Sequence, residues 1–290
     1  MENNVRGPNI FNRRAYEWQH MPTVRTLQQK AGDEEITMLT AYDAPTAAIV
    51  DSAGIDLILV GDSMGNAVLG HDSTLPVTVK EMRSRTAAVA RATDDAMVVA
   101  DMPFLSYGVD EGEAIENCGR MLKEAEANAV KLESGPHTVS LTERLVELGI
   151  PVMAHLGLTP QRFNQLGGYF RQGTDEESAG EMLELATAHE DAGAFALVLE
   201  HVPSNVAAQI TEAVDIPTIG IGAGPDTDGQ VLVLNDVFGM SDRSPYFSEQ
   251  FGDVKGEMEQ AVSGFRDAVE SGEFPAKEHS YSEDEIDEIY

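Results

Sequence analysis

Short apolar runs alternate with amphipathic stretches through most of this chain. The runs occupy residues 36–43 (ITMLTAYD), 57–63 (LILVGDS), 97–103 (MVVADMP), 129–134 (AVKLES), 151–157 (PVMAHLG), 194–201 (AFALVLEH), 217–222 (PTIGIG) and 231–235 (VLVLN). Continuous Val, Ile, Leu and Ala of this kind suit strands buried on both faces of a parallel sheet. Between them, residues 80–92, 111–128, 138–148, 178–191 and 205–214 place apolar side chains at three- and four-residue intervals, the spacing of a helix with one buried face. Several of these stretches stop at a Gly just before the next run, as in ELG before IPVMA and DAG before AFALV, which is the chemistry of a helix C-terminus.

Strand and helix patterns alternating in this way predict an α/β fold, a (β/α)8 barrel. An open doubly wound sheet is the competing arrangement, because alternation alone does not show closure. Residues 245–272 read as helical and additional to the barrel, and 282–290 (SEDEIDEIY) as an acidic tail. The expected organisation is an N-terminal extension over 1–21, one barrel domain with its C-terminal helices over 22–280, and the tail over 281–290.

Charge narrows the partners. Against 19 Lys plus Arg stand 50 Asp plus Glu, a formal charge of −31. Such a surface repels nucleic-acid phosphates and anionic lipid headgroups. Disorder is not implied, because 42% of the residues are hydrophobic. An acidic excess with few lysines reads as adaptation to a salt-rich cytoplasm, where screening softens self-repulsion. The single cysteine, Cys118, excludes a disulfide framework within the chain and a Cys-rich zinc site. The polar first twenty residues lack the apolar core of a signal peptide, and no apolar run reaches the ~18 residues of a membrane helix. The expectation is a soluble, cytoplasmic protein.

Polar residues interrupt the runs at their C-terminal ends, where barrel enzymes build their sites. They are Asp62 and Ser63, Asp101, Lys131 and Glu133, His155, and Glu200. Singly, each has an ordinary structural reading: a helix cap, an ion pair, a packed histidine. Together they place several charges where burial is costly unless they pair or hold a metal. Asp62, Asp101 and Glu133 make a hard oxygen donor set, of the kind that selects Mg2+. A 2-oxo acid chelating that ion would have its enolate stabilised, with Lys131 neutralising charge and Glu200 as the base. Residues 65–77 (GNAVLGHDSTLPV) form a long connection suited to a lid or binding loop. The run GIGAG at 220–224 lacks the spacing of a dinucleotide fingerprint and is not followed by a Walker lysine, so close backbone approach is its better reading.

Several segments carry a specific resemblance: TAYDAPTA (40–47), LVGDSMGNAVLGHDSTLPVTV (59–79), ADMPF (100–104), VKLESG (130–135), AHLGLTPQ (154–161), LGGY (166–169), VLEHVP (198–203) and IGIGAGPDTDGQVLV (219–233). In this order they resemble the 3-methyl-2-oxobutanoate (ketopantoate) hydroxymethyltransferases, over roughly residues 22–279. The resemblance implies a barrel of the phosphoenolpyruvate/pyruvate type. It implies Mg2+-dependent transfer of a hydroxymethyl group from 5,10-methylenetetrahydrofolate to 3-methyl-2-oxobutanoate, giving 2-dehydropantoate for pantothenate and coenzyme A synthesis. By position, Asp62, Asp101 and Glu133 match the metal set. Asp62, Ser63, Asp101 and Lys131 match substrate contacts, Glu200 the proton acceptor, and Tyr42 and His155 positions close behind. The family forms homo-oligomers, commonly decamers. With the acidic excess, a halophilic archaeal source is implied. The sequence departs at 170–174 (FRQGT) and at Asn235, where a His is common, which bears on contacts to the one-carbon donor and on assembly. The alternative enzyme class is a C–C or P–C lyase or mutase of the isocitrate lyase/phosphoenolpyruvate mutase type, whose K-K-C-G-H loop this chain lacks.

Overall fold

Hydrogen bonds between the last and first of eight parallel strands close the sheet into a barrel in unbroken sequence order, which excludes the open sheet. The computed structural model describes residues 23–242 and 244–282. The expected extension over 1–21 and the tail beyond Ser282 lie outside the described residues. The strands are β1 (Ile36–Thr40), β2 (Leu57–Val60), β3 (Met97–Asp101), β4 (Ala129–Glu133), β5 (Val152–Gly157), β6 (Ala196–Glu200), β7 (Thr218–Ile221) and β8 (Gly229–Leu232). The helices are α1 (Val24–Lys30), α2 (Ala44–Ser52), α3 (Val79–Ala90), α4 (Glu111–Ala125), α5 (Val139–Glu147), α6 (Glu176–Asp191), α7 (Ser204–Ala213) and α8 (Val254–Ser271), with shorter helical turns between them. The chain divides into two compact units at Leu234 and Asn235; the first holds every strand and the second holds α8. Among the described residues, no helix is long and apolar enough to cross a membrane.

Strand β1 ends before its apolar run does, because Asp43 is recruited to start the next helix. Asp43 ends the first run by accepting the Thr46 amide at the N-terminus of α2, and Asp110 and Asp175 do the same for α4 and α6. Thr78 and Glu81 form a reciprocal capping box at α3. Strand β8 begins earlier than the expected 231–235. The Asp228 carboxylate holds the Thr218 amide and hydroxyl, both at under 3 Å (2.8 and 2.9 Å), so pairing starts at the next residue. That residue is Gly229, where a Cβ would fall 2.2 Å from the Ile36 carbonyl oxygen. The expected helix over 245–272 shortens to Val254–Ser271, with Asp253 capping its first turn by accepting from the Gly256 amide.

Inside the barrel, alternate residues of each strand point inward. Toward the N-terminal ends these are Ile36, Met38, Leu57, Leu59, Met97, Val99, Ala129, Met153, Ala196, Val198, Ile219 and Val231, sealed below by Leu27 of α1. Continuing two residues at a time, the same faces present Asp101, Lys131, Glu133, His155 and Glu200. The lower layer is therefore a dry apolar floor, and each fully buried Leu, Ile or Met in it contributes ~1.5–3 kcal/mol that offsets desolvation of the charges above. A second apolar layer outside the sheet packs Ala154, Leu156, Leu197 and Leu199 against Ala186, Ala207 and Ile210 of α6 and α7.

One glycine sets how closely the ends of β5 and β6 approach. Gly157 has φ +92°, and a Cβ there would lie 2.3 Å from the Glu200 carbonyl oxygen. That carbonyl accepts from the Leu158 amide at 2.8 Å. Gly157→Ala combines a left-handed backbone cost of ~1–2 kcal/mol with a backbone clash. At ~2–4 °C per kcal/mol for a chain of this size class, the expected result is a Tm lower by at least ~4 °C. Thermal denaturation checks it, and an unchanged Tm would mean the two strand ends separate freely.

Candidate active site

The ionic layer surrounds a cavity of ≈ 100 Å³ at the C-terminal mouth of the barrel, lined in part by Asp62, Ser63, Asp101, Lys131, Glu133, His155 and Glu200. Larger grooves of ≈ 460, 710 and 580 Å³ lie elsewhere on the barrel unit, and none is lined by any of these side chains. The strand register places Asp101 beside Lys131, Glu133 beside His155, and Gly157 beside Glu200.

These neighbours form a continuous chain across β3, β4, β5 and β6. Lys131 Nζ lies 2.9 Å from Asp101 Oδ2 and 3.3 Å from His155 Nδ1. His155 Nε2 lies 3.1 Å from Glu200 Oε2. Burial and then the Lys131 charge hold the His155 imidazole below its ordinary pKa, so the ring is neutral. With the ammonium donating to Nδ1, the ring proton sits on Nε2, facing the Glu200 carboxylate. Lys131 itself is fully buried, which alone would lower its pKa. The nearby Asp101, Asp62 and Glu133 carboxylates outweigh that and hold it above the ordinary value. It is a permanent cation. Glu200 is the least enclosed of the group, with 19% of its side chain exposed against 3% for His155. It therefore stands where a substrate meets the protein.

The carboxylates opposite are strained electrostatically. Burial, and then the charge of Asp101, push the Asp62 carboxyl well above the usual range. Burial, and then the charge of Asp62, do the same to Glu133. The Asp62 backbone amide donates to Asp101 Oδ2 at 3.2 Å, while Asp101 Oδ1 is buried without a hydrogen-bond partner. Among the described residues, no three His, Cys, Asp or Glu groups converge closely enough to enclose one ion. Mg2+ seldom asks for that: it binds through one or two carboxylates and completes its shell with water and substrate oxygens. The orphaned Asp101 oxygen beside a repelling Asp62 fits that mode, with Glu133 placed to reach the shell through water.

Of the remaining expected positions, the Tyr42 hydroxyl lies 3.0 Å from Ser63 Oγ, behind the cavity wall. The GIGAG turn serves packing. A Cβ at Gly224, φ +89°, would fall 2.4 Å from the Ser204 side chain at the start of α7, so the glycine allows that close approach. Cys118 is buried in α4 with its thiol pushed up to about 12 by burial, so it is no nucleophile.

Three residues complete the site that reasoning from strand ends did not reach. Gln161, after β5, donates its backbone amide to both oxygens of Glu133 and its side-chain amide to Asp62. Tyr107, after β3, holds Gln161 in turn. Thr74 lines the cavity with its hydroxyl oxygen buried and without a hydrogen-bond partner. Gln161 closes the AHLGLTPQ motif and Thr74 lies inside GHDSTLPV, so both were within quoted motifs; no sequence signal marks Tyr107.

A model of the family described as ketopantoate hydroxymethyltransferase matches residues 21–277. The chain belongs to the ketopantoate hydroxymethyltransferase family. It is a transferase. Relatives named 3-methyl-2-oxobutanoate hydroxymethyltransferase include one from Halobacterium salinarum, 70% identical over 93% of this chain and 100% of its own length. One from Haloarcula marismortui is 71% identical with the same coverage. One from Geobacter sulfurreducens is 50% identical over 90% of this chain and 98% of its own. Among solved structures, a phosphoenolpyruvate phosphomutase from Streptomyces platensis subsp. rosaceus matches with TM-score 0.59 at 15% identity, covering 86% of this chain and 87% of that one. A phosphonopyruvate hydrolase in complex with oxalate and Mg2+ matches at 0.57 and 12%, covering 89% and 93%. At these identities the structures show the fold alone: this chain shares its barrel with a mutase and a hydrolase, while its sequence assigns it to the transferases.

Proposed function

We propose that this chain transfers a hydroxymethyl group from 5,10-methylenetetrahydrofolate to C3 of 3-methyl-2-oxobutanoate, with Mg2+, giving 2-dehydropantoate. The observation that carries the reading is the unbroken line from Asp101 through Lys131 and His155 to Glu200 around one small cavity. It sets the Lys131 ammonium and the Glu200 carboxylate two strands apart on the wall of one space, where a short branched acid can meet both. The names of relatives sharing 70% of their residues support the substrate.

Asp62 and Asp101 would hold the ion, with Glu133 reaching its water. When bound, the ion supplies positive charge to the oxygens of the 2-oxo acid. A barrel of the same fold whose description includes oxalate and Mg2+ supports that pairing. Lys131 faces the same oxygens and neutralises the charge that grows on them as the C3 proton leaves. Ser63, steadied by the Tyr42 hydroxyl, borders the acid. Glu200 accepts the C3 proton, with the neutral His155 ring beside its carboxylate, Nε2 3.1 Å from Oε2. The carbanion then forms a C–C bond to the donor's methylene carbon as one of its two C–N bonds breaks; water supplies the hydroxyl as the second C–N bond breaks, and tetrahydrofolate leaves. The cavity lies at the C-terminal mouth of the barrel, so the donor would present its carbon from the open side, above the acid.

Purified protein supplied with Mg2+, 3-methyl-2-oxobutanoate and methylenetetrahydrofolate is expected to form 2-dehydropantoate, followed by NMR in low and in multimolar KCl. Absence of product in both conditions would overturn the proposal. Cleavage of 2-methylisocitrate in the same preparation would instead place the chain with the lyases.

A further inference from the structure

Gln161 is buried, and every hydrogen-bonding group of its side chain is engaged. Its Nε2 donates to Asp62 Oδ2 and to the Met102 carbonyl, each at 2.9 Å. Its Oε1 accepts from the Tyr107 hydroxyl at 2.9 Å. Its backbone amide reaches both Glu133 oxygens, at 3.2 and 3.0 Å. Tyr107 is anchored independently, its oxygen accepting from the Glu133 backbone amide at 3.1 Å. The phenol's one proton has two acceptors, Gln161 Oε1 at 2.9 Å and the Glu133 carbonyl at 3.4 Å; the shorter contact, with the Met102 carbonyl accepting from Nε2, sets which way the amide lies and keeps the NH2 toward Asp62. Two carboxylates, Asp62 just past β2 and Glu133 on β4, are thus tied to one residue that itself belongs to neither the metal set nor the substrate contacts.

We infer that Gln161 is a positioning residue of the divalent-cation site: it occupies Asp62 Oδ2 and so presents the other Asp62 oxygen to the ion, and it holds the Glu133 carboxylate level with it. Tyr107 is its orienting partner. The inference rests on the reading of Asp62 and Asp101 as the ion's ligands. A neutral donor is required here, since a cation would compete with the ion and a carboxylate would repel Asp62. An apolar side chain of similar length would leave Asp62 free to rotate and the Tyr107 proton without its nearer acceptor.

The test is direct binding of Mn2+, followed by electron paramagnetic resonance, to the full chain and to Gln161→Met and Tyr107→Phe, with Tm measured alongside. Partners of metal ligands typically affect affinity by ~10–100-fold. Gln161→Met is expected to weaken Mn2+ binding about tenfold or more, and Tyr107→Phe by a smaller factor of at least about threefold on the same scale. Both should keep a cooperative thermal transition. Mn2+ affinity within twofold of the unaltered chain for folded Gln161→Met would overturn the proposal. If Gln161→Met does not fold, Tyr107→Phe decides on the same criterion. Failure of the unaltered chain to bind Mn2+ would overturn the metal reading itself, and this inference with it. Raising Mn2+ until Gln161→Met is fully occupied should restore KM for the 2-oxo acid, which separates positioning of the ion from general damage; a KM that stays raised at full occupancy would overturn the proposal.

Discussion

Glu200→Gln is expected to abolish exchange of the C3 hydrogen of 3-methyl-2-oxobutanoate with deuterated solvent while leaving Mn2+ and the acid bound. Gln keeps the length of Glu and still sets an oxygen beside the His155 ring, whose Nε2 stands 3.1 Å from the native carboxylate. What it removes is the ability to accept a proton. General bases typically supply ~10²–10⁴-fold in rate, and Glu200 is the most solvent-accessible member of the chain of contacts, so no neighbour can replace it. His155 is held off by the Lys131 ammonium on its Nδ1, and Lys131 is itself protonated. The loss should therefore lie at the upper end of that range. Proton NMR of the C3 signal in D2O measures it without any one-carbon donor. Exchange within tenfold of the unaltered enzyme would remove Glu200 from the role of base.

Lys131→Met is expected to separate the two ligands in the opposite sense to Gln161→Met. Lys131 is the cation that Asp101, Asp62 and Glu133 jointly face. Without it, the site loses its fixed charge for the acid's oxygens, and truncating one partner of a buried charge pair costs ~2–5 kcal/mol. At ~1.4 kcal/mol per tenfold, KM for 3-methyl-2-oxobutanoate should rise by about 30-fold or more. The divalent ion, freed from a competing cation, should bind no more weakly than before. Parallel Mn2+ titration and initial-rate measurement check both signs. A KM within tenfold of the unaltered enzyme would show that Lys131 serves the carboxylates alone. Weakened Mn2+ binding would show that it also maintains their arrangement.

The barrel was legible because its strands repeat an apolar pattern and its site residues break that pattern at the same end of each strand. Asp101, Lys131, Glu133, His155 and Glu200 could all be found that way, since inward residues of a strand recur every second position. Closure was not legible in the pattern; it depends on β1 pairing with β8, and the Gly229 contact with Ile36 that permits it is a long-range fact. The limits of the strands were misread by a few residues where Asp43 or Asp228 is used by a neighbouring element instead of its own strand. Gln161 and Tyr107 escaped for a related reason. Neutral side chains on connections reveal a role only when the fold brings them against charges, and Gln161 reaches Asp62 across 99 positions of sequence. Thr74 lies within the long connection that the sequence marked as a binding loop, and its buried hydroxyl now gives that loop a point of contact with the cavity.

The apolar floor, closed by Leu27 beneath Met38 and Val231, makes the cavity a cul-de-sac. Traffic through a cul-de-sac has to queue. On the proposed reaction, the small acid would enter before a bulky donor settles over the mouth, and the product would depart after the spent carrier. With the proposed donor seated over the mouth, exchange of fresh and spent carrier would be set at the doorway, by the connections that leave the strand ends, rather than by the charged residues below. Changing the carrier this enzyme accepts would be a matter of rebuilding that threshold while leaving the room behind it untouched.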